Sequence, residues 1–155
     1  MDQTPYESFD RLVSHRENWP YFWINRVNAF YTRALDKRLK GLGVDAPRWR
    51  VLMSLYQESF MSVSEIAEFS TLKLNTTTKI VQRMIADGLV QTRIRPSDKR
   101  VTEVCLTAAG EDLRAKAVVE VARIRDESFY NVSPAELDAL NKTLAKITQD
   151  LNRLI

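Results

Sequence analysis

The chain has 155 residues, 45% of them hydrophobic and 28% charged, with a net charge of +3. This length suits one compact domain with an attached helical part, and it can bury a core without covalent staples. The single Cys105 excludes an intrachain disulfide, and no 18-residue apolar run is present to span a membrane.

The first stretch, "MDQTPYESFDRLVSHRENWP", is polar and carries acids early, unlike a signal peptide. The expectation is a cytoplasmic protein whose residues 1–18 form an arm. From Pro20 to about Lys40 the spacing predicts a long helix with Ile24, Val27, Tyr31, Ala34, Leu35 and Leu39 on one side. Pro20 suits its first turn and "GLG" (41–43) ends it. Asp45 reads as an N-cap, with Pro47 in the first turn of a helix to about Tyr56. "SVSE" is a capping box, Ser62 with Glu65, opening a short helix over 62–69. After the turn "STL" comes a helix from Lys73 to Asp87, closed by Gly88. Its inward face is Thr77, Ile80, Val81 and Met84.

Two half-buried strands follow. Val90, Thr92 and Ile94 alternate on one, Thr102, Val104 and Leu106 on the other, and residues 95–100 join them as a hairpin loop. Thr107 caps a helix from Ala108 to Phe129, roughly 33 Å long. "SPAE" (133–136) is a second capping box, with Pro134 at the first helical position. The last helix carries Leu137, Leu140, Leu144, Ile147, Leu151 and Leu154 at steps of three and four, a seam suited to a partner subunit or to the chain's own interior.

Charge is uneven along this framework. Between Lys73 and Arg100 seven cations face two acids, which leaves this segment at +5 and the rest of the chain at −2. A basic segment on an acidic body suits a polyanion, and it also suits an ordinary solvated surface. Two short helices with a tight turn, then a two-stranded hairpin, make a winged helix-turn-helix. The fold class is therefore mainly α with a small β-hairpin wing, beside a helical body whose last stripe also suits dimerisation. The 73–87 helix fits a DNA major groove and offers Lys73, Asn75, Thr76, Lys79 and Arg83. The hairpin tip holds Arg95, Asp98, Lys99 and Arg100, whose cations suit the phosphate backbone or a narrow minor groove. Asp98 suits a role of bonding Arg100 and fixing its direction.

The residues 62–113, "SVSEIAEFSTLKLNTTTKIVQRMIADGLVQTRIRPSDKRVTEVCLTAAGEDL", resemble the MarR family of winged helix-turn-helix transcriptional regulators. The most specific part is Asp98–Lys99–Arg100 in the wing, then Val104, Leu106–Thr107 and Gly110. "MIADGLV" (84–90) and "GVDAPRWRVLMSL" (43–55) are similar to the family's helix-to-wing junction and second-helix opening. The resemblance implies a homodimer on a pseudo-palindromic DNA operator, with the first, fifth and sixth helices forming the dimer body. It places the recognition helix at 73–87, the wing arginine at Arg100 and its supporting acid at Asp98. The domains implied are 43–107 for DNA binding, and 19–42 with 108–155 for dimerisation. Thr71 stands where many members place a turn glycine, and Leu74 and Thr77 also depart from the pattern.

Members of the family commonly bind a small effector between lobe and body. "WPYFWINRVNAFYTR" (19–33) holds six of the chain's fourteen aromatics, with arginines between them. Trp23, Arg26, Tyr31, Arg48 and Trp49 are the candidate walls for a small anionic aromatic effector. The same aromatics also suit a core. Cys105 lies beside Glu103 rather than beside cations, which favours an ordinary strand residue over a redox switch. The single His15 argues against a metal site, and no metal or cofactor is expected. No phosphate loop and no nucleophile with its base is present, so no enzyme is expected. The alternatives to a ligand-responsive repressor are a winged helix used only for protein contacts, or a redox-responsive regulator using Cys105.

Overall fold

The computed structural model describes residues 14–155, so most of the expected N-terminal arm lies outside the described residues. Helix α1 spans Pro20–Leu39, with proline in its first turn where a missing N–H costs nothing. A 3-10 turn over Lys40–Leu42 leads to α2, Ala46–Gln57, whose N-cap Asp45 accepts from the Arg48 amide. A short strand β1, Met61–Ser62, precedes α3, Val63–Ser70. The Ser62–Glu65 capping box is formed in both directions. Helix α4 is Leu74–Ala86, one residue shorter at each end than the sequence expectation, with Lys73 as N-cap. Strands β2, Val90–Arg95, and β3, Asp98–Leu106, follow. Helices α5, Ala108–Ser128, and α6, Pro134–Asn152, complete the chain, α6 opened by the Ser133–Glu136 box.

The sheet is antiparallel in the order β1-β3-β2. β1 pairs Met61 with Val104 and Ser62 with Glu103. Two residues between helices carry too little periodicity to reveal a strand, so β1 had no sequence signal. β2 and β3 pair Val90 with Leu106 through Ile94 with Thr102, then shift register so that Arg95 faces Asp98. The hairpin turn is therefore only Pro96–Ser97, not the longer loop expected over 95–100.

The described residues fall into two compact units, one ending at Glu120 and the other spanning Val121–Ile155. In the first, α2 packs on α1, α3, α4 and β3. Leu35, Leu39, Leu52, Ile66, Val81, Met84, Val90 and Val104 are buried there, each such side chain contributing ~1.5–3 kcal/mol. Thr77, Val81 and Met84 form the inward face of α4, while Ile80 remains half-buried. Thr77 is accommodated because its hydroxyl donates to the Lys73 carbonyl at 3.1 Å, so no polar atom is left unpaired. β3 differs from a half-buried strand. Glu103, Val104 and Cys105 are all buried, so both of its faces are covered at this end.

Gly88, with φ of 70°, closes α4 in the left-handed region that glycine tolerates. The Leu89 amide then donates to the Met84 carbonyl at 2.9 Å. At the start of α5 the Thr107 hydroxyl donates to the Gly88 carbonyl at 2.6 Å and accepts from the Gly110 amide at 3.1 Å. Gly110 sits against the Leu89 carbonyl, where a side chain would collide with backbone. Threonine cap and glycine together let the helix dock on the 88–89 turn.

In the second unit, α6 buries no residue. Leu140, Leu144, Leu151 and Leu154 of its stripe are exposed, and Leu137 and Ile147 are partly so. No helix among the described residues is long and apolar enough to cross a membrane.

Candidate nucleic-acid interface

The residues facing outward from α4 follow from its buried stripe. With Thr77, Val81 and Met84 inward, the 3.6-residue period turns Asn75, Thr76, Lys79 and Arg83 away from the core, and all four are exposed. They line an open cleft of about 300 Å³ with Ile80 and, from the start of α2, Asp45 and Pro47. Lys73 is exposed at the N-cap, where its carbonyl begins the helix. Arg48 ties α2 to the end of α4. Its Nη2 donates to Asp87 at 3.0 Å and its Nη1 to the Gly43 carbonyl at 3.2 Å.

At the wing, Asp98 and Arg100 form a closed unit. The Arg100 Nε donates to Asp98 Oδ1 and its Nη2 to Oδ2, both at 3.1 Å, and the Arg100 amide donates to Oδ1 as well. These bonds from the Arg100 side chain, then its amide, hold the Asp98 carboxyl below the usual carboxylate range. The Arg100 side chain is 90% exposed, so it is oriented by protein yet open to solvent. Lys99 is exposed beside it.

Arg95 does not join this tip as expected. Its Nη2 donates to both Glu65 oxygens, at 2.8 and 2.6 Å, and its Nε donates to Glu103 at 2.6 Å. Two carboxylates occupy the guanidinium fork, which removes it from the cations open to a ligand. Arg93 donates to the other Glu103 oxygen at 2.8 Å and lies over the Phe60 ring. Sequence reading missed Glu65, Glu103 and Arg93 in this role. The available signal was the cross-strand position of Glu103 opposite Arg93. Its use required the register, which the bulge after Ile94 alters.

The candidate effector walls stand in differing surroundings. Trp49 is 6% exposed and belongs to the core, because α2 is enclosed by neighbouring elements on several sides. Arg48 is engaged by Asp87. Trp23, Arg26 and Tyr31 stand on α1, with Trp23 half exposed and its indole N–H donating to the Glu17 carbonyl. Arg26 stacks over both Phe22 and Phe30, at 5.4 and 5.3 Å from the ring centres. Another open cleft, about 490 Å³, is lined by Arg38, Gly41, Leu42, Lys116, Val119 and Glu120. Among the described residues no three His, Cys, Asp or Glu side chains group to hold a metal.

The MarR family model matches residues 44–102, from the end of the turn before α2 to the wing. The transcriptional repressor IacR of Pseudomonas putida is 39% identical over 140 residues, covering 90% of this chain and 83% of its own. The chain belongs to the MarR family. Among solved MarR-family structures, a transcriptional regulator from Silicibacter pomeroyi aligns with a TM-score of 0.79 at 24% identity, covering 86% of this chain and 90% of its own. A cysteine-to-serine variant of Escherichia coli MarR, complexed with operator DNA, aligns with a TM-score of 0.73 at 23% identity, covering 94% and 99%. Both likenesses establish the MarR winged-helix fold. The family is one of transcriptional regulators.

Proposed function

We propose that this MarR-family chain is a homodimeric, ligand-responsive repressor that binds a pseudo-palindromic operator and carries out no catalysis. The observation that carries the reading is the Asp98–Arg100 unit. A solvent-exposed guanidinium is held by two carboxylate oxygens at the end of a two-residue hairpin turn. An arginine so oriented loses little side-chain freedom on meeting a phosphate or a narrow minor groove. The outward face of α4 supplies the second element. Asn75 suits an adenine edge, Thr76 a thymine methyl, and Lys73, Lys79 and Arg83 guanine or phosphate. Two such helices about one helical turn apart, roughly 34 Å, would read two half-sites.

The domain reading is residues 43–107 for DNA binding, with 19–42 and 108–155 for dimerisation. The exposed leucine stripe of α6 supports it, since an apolar seam left in water favours a partner. An effector that is small, anionic and aromatic suits the exposed aromatics and Arg26 of α1. It must bind the DNA-incompetent arrangement of the dimer better than the competent one, because coupling is a difference of binding energies. Cys105 is buried, which disfavours the redox alternative.

The deciding experiment is selection of the purified protein on randomised duplex DNA at near-physiological salt. Enrichment of a two-fold symmetric site with half-sites about ten base pairs apart is expected. No enrichment, with or without small aromatic acids, would favour a winged helix used for protein contacts.

A further inference from the structure

The residues that fix the wing to the helix-turn-helix form a continuous chain of bonds. Glu65 belongs to α3, where one of its oxygens accepts from the Ser62 amide at 2.6 Å and completes the capping box. The same carboxylate takes the Arg95 guanidinium from the end of β2. Arg95 also bonds Glu103, which is only 5% exposed and lies on β3 opposite Ser62. Across the hairpin Arg95 faces Asp98, the residue that holds Arg100. One charged strut thus runs from the N-terminus of α3 through both wing strands to Arg95, which the strand ladder pairs with Asp98 at the wing tip. Bonds from Ser62 and Arg95 hold the Glu65 carboxyl below the ordinary carboxylate range, and bonds from Arg95 and Arg93 do the same for Glu103. The strut is therefore fully ionised at neutral pH.

We propose that Glu65, Arg95 and Glu103 are positioning residues for DNA binding. They set the angle and reach of the wing relative to α3 and α4, and so deliver Arg100 to the duplex without touching DNA themselves. A bare two-stranded ribbon is a weakly stable element that bends in water. Three ionised side chains bonded across α3, β2 and β3 restrain it with directional bonds that no apolar contact supplies. Arg95 is spent in doing so, which explains why a wing arginine is turned inward on a surface otherwise rich in exposed cations.

This inference rests on the DNA-binding reading, and a double-mutant cycle separates the two. The probe is the duplex selected by the wild-type protein. Glu65→Gln keeps the capping box, which accepts glutamine as well as glutamate, but removes the charge that holds Arg95. Glu65→Gln and Arg95→Gln are each expected to weaken binding about tenfold in the wild-type background. In the Arg100→Ala background each should have less than about a twofold effect, because the route through Arg100 is already gone. Thermal melting reports whether each variant folds; if Arg95→Gln does not, Glu65→Gln carries the cycle alone. Equal losses in both backgrounds would overturn the proposal, since the strut would then act independently of Arg100. Tighter binding by Glu65→Gln would overturn it too, by showing Arg95 to be a restrained DNA ligand. A wild-type protein that selects no duplex would instead overturn the DNA-binding reading itself.

Discussion

Asp98 grips Arg100 with both carboxylate oxygens, two bonds of 3.1 Å to a side chain that water otherwise surrounds. On the DNA-binding reading an acid at this tip would repel phosphate, so its presence needs a gain elsewhere. That gain is orientation. Arg100→Ala should weaken operator binding by about 1–3 kcal/mol and lower the salt slope by about one, with melting unchanged. Asp98→Ala should weaken binding less, by freeing the arginine. Tighter binding by Asp98→Ala in a salt titration would show that the acid only repels.

Gly110 has backbone, not a flexible side chain, where a Cβ would go. The added carbon would overlap the Leu89 carbonyl oxygen and crowd Leu106 Cδ2 at 3.1 Å. Gly110→Ala should therefore cost about 1–3 kcal/mol despite the better helix propensity of alanine. Urea denaturation measures it; an unchanged or raised midpoint would mean that the junction between wing and α5 yields freely.

Thr71 holds φ of 55° as the C-cap of α3, a conformation that is costly for a β-branched residue. Its hydroxyl offsets part of the strain by donating to the Ser70 carbonyl at 2.7 Å. Thr71→Gly should stabilise by roughly 1 kcal/mol, read as a higher Tm. A lower Tm would show that the hydroxyl bond outweighs the strain.

Acid should loosen the wing first. Glu65 and Glu103 have folded pKa values below their unfolded ones, held down by Ser62, Arg95 and Arg93. Their contribution is present above the unfolded carboxylate pKa and is lost as pH falls through the lowered folded values. Amide exchange of β2 and β3 should accelerate below about pH 4 while the α2 core stays protected. Glu103→Gln should remove much of that pH dependence. Uniform acceleration throughout the first unit would show that the strut titrates with the whole fold.

The α6 stripe predicts the assembly. Leu144→Asp and Leu151→Asp place a charge on the exposed apolar stripe of α6. Sedimentation should show a dimer for the wild type and a monomer, or an unfolded chain, for these variants. A stable variant dimer would move the subunit contact away from this seam.

The helices were legible because their signals are local. Both capping boxes, Asp45, Pro20, Gly88 and Thr107 each act within four residues of the backbone they terminate, and the buried period of α4 is written in Thr77, Val81 and Met84. The Asp98–Arg100 unit was legible for the same reason: its partners are two residues apart. Tertiary structure decided what depends on distant segments meeting. β1 exists only because β3 returns to pair with it. Trp49 is buried because α2 is enclosed by neighbours far away in sequence. Arg95 is a strut rather than a free cation because Glu65, thirty positions earlier, and Glu103, eight later, meet at its guanidinium. A charge in sequence shows only its sign. Whether it faces solvent or a buried carboxylate is set by register and packing, and here the register shift between Ile94 and Arg95 sets where Arg95 falls in the ladder.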